Sequence, residues 1–127
     1  MKKSTISTVS KTTESKNPRN VKIGKSLMEL IKTRLIEVFH PVSIYIFGSR
    51  AWGKATPESD LDIAIIIGQS TDKMWERIRR GTLALGDIDL SIDLLAYTRE
   101  EFESRKDCHS ALQYMIDQKG IKIYEAL

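Results

Sequence analysis

The segment Asp60-Leu61-Asp62-Ile63-Ala64-Ile65-Ile66-Ile67 constrains this chain more than any other. Its last five residues are apolar without interruption, which reads as a strand covered on both faces. Such a strand forces its neighbours to supply cover, so helices must lie against a sheet. Two carboxylates nevertheless stand at its mouth. In a strand, residues i and i+2 point to the same side, roughly 6.5–7 Å apart. Asp60, Asp62, Ala64 and Ile66 therefore share one face, and Leu61, Ile63, Ile65 and Ile67 the other. Like charges side by side on a buried strand are costly unless a cation lies between them. Carboxylate oxygens select hard divalent ions such as Mg²⁺, Mn²⁺ or Ca²⁺.

Other elements fall into place around that strand. Leu27, Leu30, Ile31, Leu35 and Val38 recur at helical spacing behind Ser26-x-x-Glu29, which has the form of a capping box, and Pro41 closes the helix. His40 reads as a helix-end residue. Val42 to Phe47 is rich in β-formers and is broken by Gly48-Ser49. Residues 71–85 predict a second helix with Met74, Ile78 and Leu85 inward and Arg77, Arg79 and Arg80 on a solvated face; Trp75 is assigned to core or interface. Ile88 to Ala96 predicts a third strand, and Thr98-x-x-Glu101 a second capping box. Leu112, Met115 and Ile116 mark a last helix with Gly120 at its C′ position, and Ile121 to Tyr124 an edge strand. The order is that of a small α/β (α+β) domain: a mixed sheet of three or more strands flanked by helices.

The third strand carries Asp89 and Asp93 on one face, with Asp93 between Ile92 and Leu94. If it neighbours the second strand, Asp93 faces Asp60 and Asp62. Three converging carboxylates suit a two-metal site, which activates an attacking hydroxyl and steadies a leaving group. Gly48 lets the backbone approach a phosphate, Ser49 can donate to it, and Arg50 and Lys54 add positive charge. Taken alone, Asp60 and Asp62 also fit a solvated strand entry, and Gly-Ser fits any turn. The joint pattern is what points to chemistry.

Charge and composition narrow the classes. The formal net charge is +3, yet residues 1–20 hold five basic groups against one acid, leaving −1 for everything else. A basic nucleic-acid-binding face is not expected of the domain. The tail contains eight Ser/Thr and little that is apolar, so residues 1–20 are expected to be disordered and 21–127 to form the domain. No apolar run approaches the roughly 20 residues of a membrane span. Cys108 is the only cysteine, which excludes an internal disulfide and points to a reducing, cytoplasmic home. Cys108 and His109 read as structural.

Gly48-Ser49-Arg50-Ala51, then Asp60-Leu61-Asp62, then Ile92-Asp93-Leu94-Leu95 resembles the minimal nucleotidyltransferases of the DNA polymerase β-like superfamily. The resemblance runs from about residue 24 to the C-terminus. It implies that Gly48, Ser49 and Arg50 contact the nucleotide, and that Asp60, Asp62 and Asp93 bind two Mg²⁺ ions, Asp93 helping to activate the acceptor hydroxyl. The implied reaction moves a nucleoside monophosphate, AMP from ATP, to a hydroxyl and releases pyrophosphate. Stand-alone cores of this kind resemble antitoxins that adenylylate a tyrosine of a HEPN-domain toxin, so a HEPN-type partner is expected, in a hetero- or homo-oligomer. Two other readings stay open: a binding module that neutralises its partner by contact, and a small-molecule transferase completed by a second subunit.

Overall fold

A computed structural model describes residues 23–127. The expected tail, residues 1–20, lies outside them. Helix α1 spans Lys25–Phe39 and buries Ile31, Leu35 and Phe39, one stripe at 3.6-residue spacing. The Met28 N–H bonds to the Gly24 carbonyl at 3.0 Å, so the first turn opens at Gly24. Ser26 is therefore already inside the helix, and the expected capping box at Ser26 does not form. His40 ends α1 in the left-handed region with φ 45°, and Pro41 follows.

Strand β1 is Ser43–Phe47, α2 is the single turn Ser49–Trp52, and β2 is Leu61–Ile67. Helix α3 covers Met74–Ala84, β3 Ile92–Thr98 and α4 Arg99–Glu103. Helix α5 is Leu112–Lys119, and the edge strand β4 is Ile121–Glu125. The sheet order is β3-β2-β1-β4. β2 and β3 are parallel, joined by the α3 crossover, and β1 runs antiparallel to both β2 and β4.

One sheet face presents Ile44, Leu61, Ile63, Ile65, Ile67, Leu94 and Ala96 to α1 and α3. The other presents Tyr45, Phe47, Ala64, Ile66 and Tyr97 to Phe102 of α4 and Ile116 of α5. β2 is thus covered on both sides, as its apolar run requires, with one exception: Asp62, at its mouth, is only half-buried. Among the described residues no helix is long and apolar enough to cross a membrane.

Three further expectations are corrected, wholly or in part. The third strand starts at Ile92, not Ile88, because residues 85–91 form turns, with Leu90 N–H bonded to Ile88 O. Of the two readings of Trp75, core or interface, the first falls: the residue is 62% exposed and belongs to neither core cluster. Arg77 is not on a solvated face: it is 3% exposed. Its guanidinium donates to the carbonyls of Asp72 (3.1 and 2.7 Å) and Ala96 (2.7 Å) and to both carboxylate oxygens of Glu101 (2.8 and 3.2 Å). All five donors are used, which is what makes a buried arginine tolerable. Thr98 and Glu101 form the reciprocal cap expected of them, so Glu101 serves helix and arginine together.

Candidate active site at the mouth of strands β2 and β3

The parallel pairing of β2 with β3 sets Asp62 directly opposite Asp93. Asp89 precedes β3 and takes no part in this register, which leaves Asp93 as the acid that meets Asp62. Asp60 stands one residue before β2, exposed, and Asp93 is exposed at the second position of β3. The carboxyl of Asp62 titrates above the usual carboxylate range. Burial is the largest cause, followed by the charges of Asp93 and Asp60 and a hydrogen bond with Asp93; the Arg50 guanidinium pulls the other way. A carboxyl crowded by two others is a group awaiting a cation.

Antiparallel pairing places Phe47 opposite Asp62, so the turn after β1 arrives beside that carboxyl. Gly48 has φ +74°, a conformation that L side chains avoid. A Cβ there would lie 2.0 Å from Asp62 Oδ2. Gly48 is required twice over, for its backbone angle and for the space the carboxyl occupies. The N–H groups of Ala51 and Trp52 both return to Gly48 O, at 2.9 and 3.0 Å, which winds α2 and holds Ser49 at its start. Gly53 closes the turn with an N–H bond to Ser49 O at 3.1 Å, and Trp52 packs on Phe47 with ring centroids 6.4 Å apart.

Arg50 points across the loop that leads to Asp60. Its Nε and Nη2 donate to the carbonyl of Ser59 at 3.2 and 2.8 Å, and Nη2 reaches Thr56 O at 3.5 Å. Ser59 is itself knotted to Thr56: its N–H bonds to Thr56 O at 3.0 Å and its hydroxyl accepts from Thr56 N–H at 2.8 Å. Ser59 carries no signal in the sequence, since a contact made through a main-chain carbonyl leaves no residue signature.

Gly48, Ser49, Arg50, Asp60, Asp62 and Asp93 thus all come to one end of the sheet. The carboxylates do not form a ready-made cage, for no three His, Cys, Asp or Glu side chains among the described residues are gathered as metal ligands. That openness fits Mg²⁺, which takes one or two carboxylates and completes its shell with water and substrate phosphates. The all-oxygen donor set and the crowded Asp62 fit it too. Cys108 and His109 lie elsewhere, both exposed; His109 packs on Tyr114 at 4.5 Å.

Residues 29–126 match the family model described as polymerase beta, nucleotidyltransferase. A relative from Haemophilus influenzae, named probable protein adenylyltransferase MntA, is 34% identical over 77 residues, which are 59% of this chain and 68% of the relative. Two crystal structures share the fold. One, from Sulfolobus solfataricus and assigned to the nucleotidyltransferases, superposes with a TM-score of 0.53 at 20% identity, covering 81% of this chain and 90% of that one. The other, a toxin-antitoxin structure with AMP-PNP, has a TM-score of 0.51 at 23% identity, covering 77% of this chain and 73% of that one.

Proposed function

The chain belongs to the polymerase β nucleotidyltransferase family, and from that premise we propose that it is an Mg²⁺-dependent protein adenylyltransferase of a toxin-antitoxin pair. It transfers AMP from ATP to a hydroxyl, a tyrosine of a HEPN-type toxin being the acceptor. The observation that carries this reading is Asp62 facing Asp93 across parallel strands, beside Asp60 and directly under Gly48-Ser49. A module acting by contact alone has no need of three crowded carboxylates at the mouth of a buried strand.

Asp60, Asp62 and Asp93 would hold the metal. When bound, Mg²⁺ neutralises the triphosphate and lowers the pKa of the attacking hydroxyl. Gly48 lets the backbone come close to the phosphates, and the Ser49 hydroxyl donates to one of their oxygens. Asp93, exposed at the second position of β3, accepts the proton of the acceptor hydroxyl. That oxygen forms its bond to the α-phosphorus as the bond to the β-phosphate oxygen breaks, and pyrophosphate leaves. The protein's part is positioning and charge. The H. influenzae relative's name and the toxin-antitoxin neighbour with AMP-PNP favour a protein acceptor and ATP over a small-molecule substrate.

The test is label transfer from ATP carrying a labelled α-phosphate, with Mg²⁺, into a lysate of the source cells, with the Asp60→Ala variant alongside. A labelled protein band that needs Asp60 is expected, and its labelled residue is then mapped. Label that appears equally with Asp60→Ala, or none in protein, overturns the adenylyltransferase reading.

A further inference from the structure

Asp60 lies outside the sheet, on the loop between α2 and β2, where no ladder holds it. Two peptide planes decide where its side chain points. The one after it is tied to β3, because Leu61 N–H bonds to Ser91 O at 2.9 Å. The one before it, joining Ser59 to Asp60, is held by its carbonyl, which accepts two hydrogen bonds from the Arg50 guanidinium at 3.2 and 2.8 Å. Two donors from one rigid fork fix the direction of that carbonyl as a single donor would not. They therefore fix the backbone angle from which the Asp60 side chain departs. The same fork reaches Thr56 O, where the knotted turn of residues 56–59 begins.

We infer that Arg50 is a positioning residue: it aims the Asp60 carboxylate at the metal site through the Ser59 carbonyl, and does not serve as a ligand of the nucleotide phosphates. The inference rests on the metal-dependent reading above and gives Arg50 a different part within it. Nε and Nη2 of its guanidinium are turned to main-chain carbonyls of the loop that delivers Asp60. To bind a phosphate, Nε and Nη2 would have to leave the Ser59 carbonyl. Arrangements of this kind, in which an outer residue orients a metal ligand, govern affinity for the metal more than affinity for the substrate.

The test compares wild type, Arg50→Ala, Arg50→Lys, Asp60→Ala and the Arg50→Ala/Asp60→Ala double variant. Mn²⁺ binding is followed by electron paramagnetic resonance with a non-hydrolysable ATP analogue present, and analogue binding is measured separately without metal. Melting curves restrict the comparison to folded protein. Arg50→Ala is expected to lose roughly 10- to 100-fold in Mn²⁺ affinity with metal-free nucleotide binding unchanged. Arg50→Lys, which keeps a donor, recovers part of that loss. On the Asp60→Ala background the Arg50 change adds less than about twofold, the non-additivity of two residues that act as one. Weaker metal-free nucleotide binding with Mn²⁺ affinity intact overturns the inference, and so do effects that multiply in the double variant. A folded wild type that takes up no Mn²⁺ overturns the metal-site reading itself, and that failure shows before any variant is measured.

Discussion

At the C-terminal end of β2 and β3 a cation is buried with every donor engaged; at the N-terminal end Asp62 is pressed by the charges of Asp93 and Asp60, against which the Arg50 charge pulls. The strands are the same and their pairing unbroken from Leu61↔Ile92 to Ile67↔Thr98. At the far end Arg77 gathers the loop before α3, the end of β3 and Glu101 of α4 into one network, and it holds the Glu101 carboxyl below the usual carboxylate range. At the near end burial and like charge push Asp62 the opposite way. One end is finished by folding. The other, on the proposed reading, would be finished by a bound cation that offsets the crowding of Asp62.

The contrast can be broken from either side. Asp62→Asn, which keeps the shape and removes the charge, is expected to lower transfer by about 100- to 1,000-fold while stabilising the metal-free protein. The sign follows from linkage. The folded carboxyl titrates above its unfolded value, so between the two values the folded state holds more protons and stability falls as pH rises. The variant should therefore melt higher than wild type above that window without divalent ions. The advantage should shrink as pH falls toward the ordinary carboxylate range, and Mg²⁺ should raise the melting temperature of wild type only. Melting curves across pH, with and without Mg²⁺, check all three.

At the opposite end, Arg77→Met should destabilise by about 3 kcal/mol, because Glu101 and two carbonyls lose their partner at once. Urea unfolding measures it, and Mn²⁺ affinity of the folded fraction should stay within about twofold, as for separate sites. Gly48→Ala combines the two ends' logic. The backbone at Gly48, φ 74° and ψ −153°, lies in a region used almost only by glycine and costs an alanine about 1–3 kcal/mol, but the new Cβ meets Asp62 Oδ2, the movable tip of a side chain. The fold should survive and the site should not, so transfer falls by far more than the stability change accounts for. Thr98→Ala removes a cap and should cost about 1 kcal/mol in urea unfolding, with transfer kinetics unaltered.

Much of this was legible in the sequence, for identifiable reasons. Ile31, Leu35, Ile63 and Ile65 announce themselves by period, and Thr98 with Glu101 by spacing. The Asp60, Asp62 and Asp93 grouping could be read only conditionally, since register between strands separated by a helix is not written in either strand. Helical periodicity misplaces Arg77 because it sorts residues by polarity, and a guanidinium with all five donors satisfied is polar in composition and buried in fact. The bracing of Ser59 by Arg50 had no trace at all, for any residue at position 59 offers the same carbonyl.

The α3 crossover has a consequence in time. Asp62 and Asp93 meet only when β3 pairs with β2 across the α3 crossover, a non-local parallel pairing of the kind that forms slowly. A chain halfway to its native state holds its acids apart. On the proposed reading of the site, a chain in which β3 has not paired with β2 would lack it, and so would be unable to consume nucleotide, because Asp62 and Asp93 stand opposite each other only through that pairing.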